Sequence, residues 1–116
     1  MEQWPEPLRR RWEQMERQDP LDRVRNFLGG HFADAESFEE VEAELRSLAS
    51  DTTRGIARDL RAFETVLSGP LEPGLPLRVV AWDANWVLDE PSDENALVFL
   101  HKVADMLRTV LAEANG

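Results

Sequence analysis

Two histidines, twenty-three carboxylates and no cysteine bound the chemistry open to this chain. His31 stands near Asp34 and Glu36, and histidine with carboxylates is one way to hold a divalent metal. The plainer reading is a loop histidine that packs or caps. His101 falls near the polar edge of the last predicted helix and reads as structural. Asp83, Asn85 and Glu94 occupy positions 1, 3 and 12 of a calcium-loop pattern. Val87 stands at the fifth position, however, and Leu88 replaces the glycine that the sixth requires, while Pro91 stiffens the segment. Nucleophilic catalysis needs a nucleophile beside an oriented base. Ser37 and Ser92 are better explained as helix caps. Gly29-Gly30 lacks the further glycine and the lysine of a phosphate-cradling loop. The chain is therefore read as a non-enzyme that needs no cofactor and no metal.

The charge is more informative. Residues 1–30 carry six acids and six arginines, while residues 31–116 carry seventeen acids and seven bases and so hold the whole net charge of −10. Such a domain repels nucleic acid and anionic membrane and attracts basic partners. Trp82 and Trp86 flank Asp83 and Asn85, and Asp89-Glu90 follow. Aromatics mixed with acids suit a binding hot spot for a basic protein. One tryptophan is expected to be largely buried and the other to anchor an interface.

These residues need elements to hold them, and the apolar spacing is mostly helical. A first helix is predicted from Pro5 to about Arg17 through Leu8, Trp12 and Met15. Asp19-Pro20 then caps and starts a second, with Leu21, Val24, Phe27 and Leu28 as its stripe and Gly29-Gly30 as its stop. Residues 31–36 read as a loop. Ser37 and Glu40 form a capping box for a third helix through Phe38, Val41, Leu45 and Leu48, with Glu39, Glu40 and Glu44 on the far side. Asp51 or Thr52 opens a fourth through Ile56, Leu60, Phe63 and Leu67, ended by Ser68-Gly69-Pro70. Residues 68–76 form a loop. The segment 77–88 is read as a helix burying Leu77, Val80, Ala84 and Val87. The alternative is a hairpin of Val79–Trp82 and Trp86–Leu88. Ser92 caps the last helix, whose two apolar stripes, one through Leu100 and Leu107 and one through Phe99 and Val103, predict a central position.

Two stretches resemble the small immunity proteins of contact-dependent growth inhibition and related bacterial polymorphic toxin systems. Val24–Phe32, with its apolar helix, glycine pair and aromatic before an acidic loop, is similar to that family's N-terminal signature. Trp86–Glu94 is similar to its aromatic–Asp–Pro–acidic turn ahead of a final helix. The likeness spans about residues 21–108. His31 followed by Phe32 stands where the family often has tyrosine and histidine, and the chain has no tyrosine. The resemblance implies an all-helical cytoplasmic protein that binds one cognate toxin domain and blocks it. Such toxins are often basic nucleases.

The expectation is an all-α bundle of four to six helices forming one domain over residues 1–116, with residues 1–18 as an extension helix. A monomer or homodimer is expected. The absence of cysteine, of a signal peptide and of an apolar run near ~18 residues fits the cytoplasm. Glu40, Asp93 and Glu94 are accounted for by capping and the helix dipole. Asp34, Glu36, Glu39, Glu44, Asp83, Asp89 and Glu90, with Trp82 and Trp86, are the expected partner-binding residues.

Overall fold

The computed structural model describes residues 19–115. The helix expected over Pro5–Arg17, and Trp4, lie outside the described residues. The rest is all-α: α1 (Pro20–His31), α2 (Phe38–Asp51), α3 (Arg54–Ser68), α4 (Leu75–Arg78) running into a π-helical turn (Val79–Asp83), and α5 (Asp93–Asn115). No strand occurs among the described residues, so the hairpin alternative near residues 78–88 is excluded.

Three helix starts follow the side-chain chemistry of the sequence. Asp19 Oδ1 accepts from the Leu21 amide at 2.8 Å. Ser37 Oγ accepts from the Glu40 amide at 3.1 Å, and Glu40 Oε2 reaches back to the Glu36 amide at 3.2 Å. Ser92 Oγ accepts from the Asn95 amide at 3.1 Å. Each satisfies an amide that the helix itself cannot.

Other boundaries differ from expectation. Asp51 is the last residue of α2, and Thr53 takes the cap position of α3 without a side-chain bond, while Thr52 Oγ1, one residue earlier, accepts from the Arg54 amide at 3.3 Å. Gly29-Gly30 does not stop α1, which continues through His31. Gly29 faces the π-turn instead: a Cβ there would lie 3.6 Å from the Asp83 carbonyl oxygen, an ordinary contact distance. The helix over 77–88 ends at Asp83, because Asn85 turns the chain in the left-handed region at φ 50°. Asparagine tolerates that conformation better than most residues. Ala84 and Val80 are buried as expected, but Val87 lies beyond the turn and is 91% exposed.

One contiguous core joins the elements. α5 packs on α2, α3 and α4, and α1 packs on α3 and the π-turn. Ala96, Phe99, Leu100, Val103, Ala104, Met106, Leu107 and Val110 of α5 are all buried, which gives it the central place its two stripes predict. The Asp93 carboxylate clasps the start of α4, accepting from the Gly74 amide at 2.7 Å and the Leu77 amide at 3.1 Å.

Gly30 and Gly55 are helical, and a Cβ at either would meet nothing within 4 Å; Gly74 sits at φ 86°. Alanine at Gly30 or Gly55 should therefore raise stability by about 0.4–1 kcal/mol each. Alanine at Gly74 should lower it. Urea midpoints check this, and a Gly74→Ala protein as stable as wild type would contradict the left-handed turn.

Candidate partner-binding site

Phe32 fills the core just past the end of α1, with none of its surface exposed. Around it stand Phe38 at 5.6 Å, Trp86 at 5.4 Å and Phe99 at 5.4 Å between ring centroids, the last two edge-on. Trp86 also lies 5.5 Å from Phe99. Such pairs add about 0.5–1.5 kcal/mol each beyond the area they bury. The cluster joins the segment after α1, the start of α2, the segment after the π-turn, and α5. Asn85 Nδ2 donates to the Ala33 carbonyl at 3.4 Å, and the Trp86 amide donates to the Val80 carbonyl at 3.1 Å. The single lysine, Lys102, holds its Nζ 4.6 Å from the Phe38 ring centroid, a cation–π contact.

The effect is to bring two acidic segments to one aromatic cluster. Asp34, Glu36 and Glu39 precede or open α2, Asp89 and Glu90 follow Trp86, and all five are exposed. Val87 stands exposed between Trp86 and Asp89. Two expected acids are engaged within the chain. Glu44 accepts from His31 Nδ1 at 2.7 Å, and His31 stacks at 4.6 Å on Phe27. Asp83 accepts from Arg25 Nε at 2.9 Å. The two tryptophans divide: Trp86 is half-buried in the cluster, and Trp82 is 78% exposed on the π-turn.

Several bases are held in ion pairs between elements. Arg23 binds Asp59 at 2.9 Å from α1 to α3, and Arg108 of α5 reaches Glu64 of α3 at 3.3 Å. Arg46 of α2 grips Glu113 near the end of α5 through Nε and a second nitrogen, and also meets Glu42 at 2.6 Å. That two-pronged hydrogen bond holds the Glu113 carboxyl below the usual range. At Asp59 burial wins: desolvation pushes its carboxyl up, against the pull of Arg23 and His31. Among the described residues no group of three histidine, cysteine or carboxylate side chains is placed to hold a metal. No described helix is long and apolar enough to cross a membrane.

Sequence reading missed Phe32 and Phe99 as the hub and Asp93 as a clasp. The aromatic character of Phe32 was visible, but its partners lie far along the chain. The arginine ties between helices carry no local signal, since Arg46 and Glu113 are 67 residues apart.

Two expectations follow. Trp86→Ala should cost about 3–5 kcal/mol in urea denaturation, whereas Trp82→Ala should stay within about 0.5 kcal/mol of wild type. For Asp59, a carboxyl pKa raised by folding penalises the folded state at neutral pH, and the penalty lifts as pH falls through the folded value. The stability of wild type relative to Asp59→Asn should therefore rise between pH 7 and pH 4. A difference that stays flat or falls would contradict burial as the dominant influence. The chain matches no known protein family, no curated protein and no solved structure.

Proposed function

We propose that this protein is an immunity protein, which binds a basic toxin domain through its acidic loops and blocks it. The observation that supports the reading best is the meeting of two acidic segments, Asp34–Glu39 and Asp89–Glu90, at one aromatic cluster. Ordered carboxylates cost less entropy on binding than mobile ones. The net charge of −10 draws a basic partner in. The ties of Arg23, Arg46 and Arg108 to carboxylates elsewhere leave those cations less able to oppose it. Val87 supplies an exposed apolar group among these acids, of the kind that excludes water at the centre of an interface. The resemblance of Val24–Phe32 and Trp86–Glu94 to immunity-protein signatures points the same way. Glu44 and Asp83 serve the fold first, through His31 and Arg25, and take a smaller part in this reading.

Co-expression with the product of the gene directly upstream should relieve that product's toxicity. Its association rate with this protein should fall as salt rises. Reversing Asp89 and Glu90 to lysine should slow association by about tenfold at low salt and leave the melting temperature nearly unchanged. Toxicity that persists on co-expression, or an association rate indifferent both to salt and to the reversal, would overturn the proposal.

A further inference from the structure

We infer that Arg54, Arg58 and Arg61 form a ridge on α3 that receives the acidic loops of a second copy of this chain. The three arginines are spaced i, i+4 and i+7, so they share one face of α3, and all three are exposed. Thr65 and Ser68 continue that face without an acid. No ion pair joins any of the three to a described residue. The two acids of α3, Asp59 and Glu64, are taken by Arg23 and Arg108. Asp51, three residues before Arg54, pairs with none of them. Residues 1–18 hold four acids and four arginines, so the chain ahead of α1 offers the ridge no surplus of acid.

The fold gains nothing from this ridge. Like charges three and four residues apart on a helix repel one another. Arg54 is the first residue of α3, where the helix dipole favours an acid, and the first turn holds none. The ridge therefore weakens the helix that carries it. An anionic surface laid against it removes both penalties.

The place of the ridge in the fold names that surface. α2 starts at the aromatic cluster with Phe38 and runs 14 residues to Asp51, about 20 Å at 1.5 Å per residue. α3 begins there and runs parallel to α1, as the pairs Arg23–Asp59 and Phe27–Phe63 show. Arg54 and Arg58 thus lie toward the end of the bundle away from Asp34, Glu36, Glu39, Asp89 and Glu90. None of those five acids is ion-paired to a described residue either. One chain displays two unpaired surfaces of opposite charge, too far apart to meet each other, and a second copy satisfies both. A nucleic acid matches the ridge alone. The net charge of −10 opposes either partner, but repulsion is screened beyond about 10 Å at 0.1 M salt, so local pairing decides. Exposed ion pairs are individually weak, which places the self-association Kd on the order of 0.1–1 mM at low salt. In the reading proposed above, a basic domain that takes the same loops displaces the second copy.

Sedimentation equilibrium of the full chain tests this. At low salt the average mass of wild type should climb above the 13.3 kDa of one chain as concentration rises to about 1 mM. It should fall back when salt is raised to about 0.5 M. Two triple variants separate the surfaces. Arg54→Glu, Arg58→Glu and Arg61→Glu together reverse the ridge, while Glu36→Lys, Asp89→Lys and Glu90→Lys together reverse the loops. Each variant alone should keep the mass of one chain and melt close to wild type. An equimolar mixture of the two should associate at low salt at least as well as wild type, because each restores the complement the other lacks. The neutral triple variant Arg54→Gln, Arg58→Gln and Arg61→Gln should also stay at one chain's mass, which guards against a folding defect in the reversed ridge. Wild type that keeps one chain's mass at low salt overturns the inference. So does a reversed variant that associates alone as wild type does, or a mixture that does not associate. Fluorescein-labelled oligothymidylate bound by wild type and released by the ridge reversal, without self-association, assigns the ridge to a phosphodiester and overturns it too. No toxin enters this test, so its outcome is separate from that of co-expression.

Discussion

Everything at the acidic, aromatic end of this molecule depends on the burial of one ring. Phe32 lies just past α1, yet it is fully enclosed by Phe27, Phe38, Trp86 and Phe99. Those partners come from α1, α2, the segment after the π-turn, and α5. Two stretches without regular helix, residues 32–37 and 84–92, thereby share one apolar foundation. Their backbones gain little from helical hydrogen bonding, so the rings must supply the order. The carboxylates on these stretches inherit that order. A second layer of restraint is electrostatic, with Asp93 clasping α4 and arginines bridging the helices. Most of those ion pairs are exposed, and such pairs define geometry more than they add stability.

Much of the fold was legible because its signals are local. Asp19, Ser37 and Ser92 announce helix starts through their own side-chain bonds, and the apolar spacing of α5 shows two stripes that only a central helix could satisfy. The errors have a common origin. Gly29-Gly30 resembles a helix stop in isolation, but α1 runs on through His31, with Gly29 facing the Asp83 carbonyl, a neighbour far along the chain. The segment 77–88 has helical periodicity throughout, yet a single left-handed residue, Asn85, ends it and sends Val87 into solvent. Nothing in the spacing separates the roles of Trp82 and Trp86. The π-turn does, by pointing one ring away from the core and carrying the chain on to Phe32 for the other.

The same distinction sorts the acids. Charge abundance marked the acidic part of the chain correctly, but it could not say which carboxylates serve the fold. By position Asp93 matches the dipole of α5, and it is also the cap of α4. Asp83 and Glu44 carry nothing in the sequence to separate them from partner-seeking acids, yet they are held by Arg25 and His31. Asp34, Glu36, Glu39, Asp89 and Glu90 stay exposed beside the aromatic cluster. A binding surface built from such residues relies on a rigid base, since flexible acids would lose affinity to the entropy of ordering them.

The central claim is that one aromatic cluster orders both acidic stretches. Amide hydrogen exchange of Phe32→Leu against wild type tests it most directly. Loss of the ring should speed exchange together at the Ala35 amide of the first stretch and at the Trp86 and Asn95 amides that brace the second. The helical amides of α3 should be nearly unaffected. Faster exchange confined to residues 32–37, with Trp86 as protected as before, would contradict the claim.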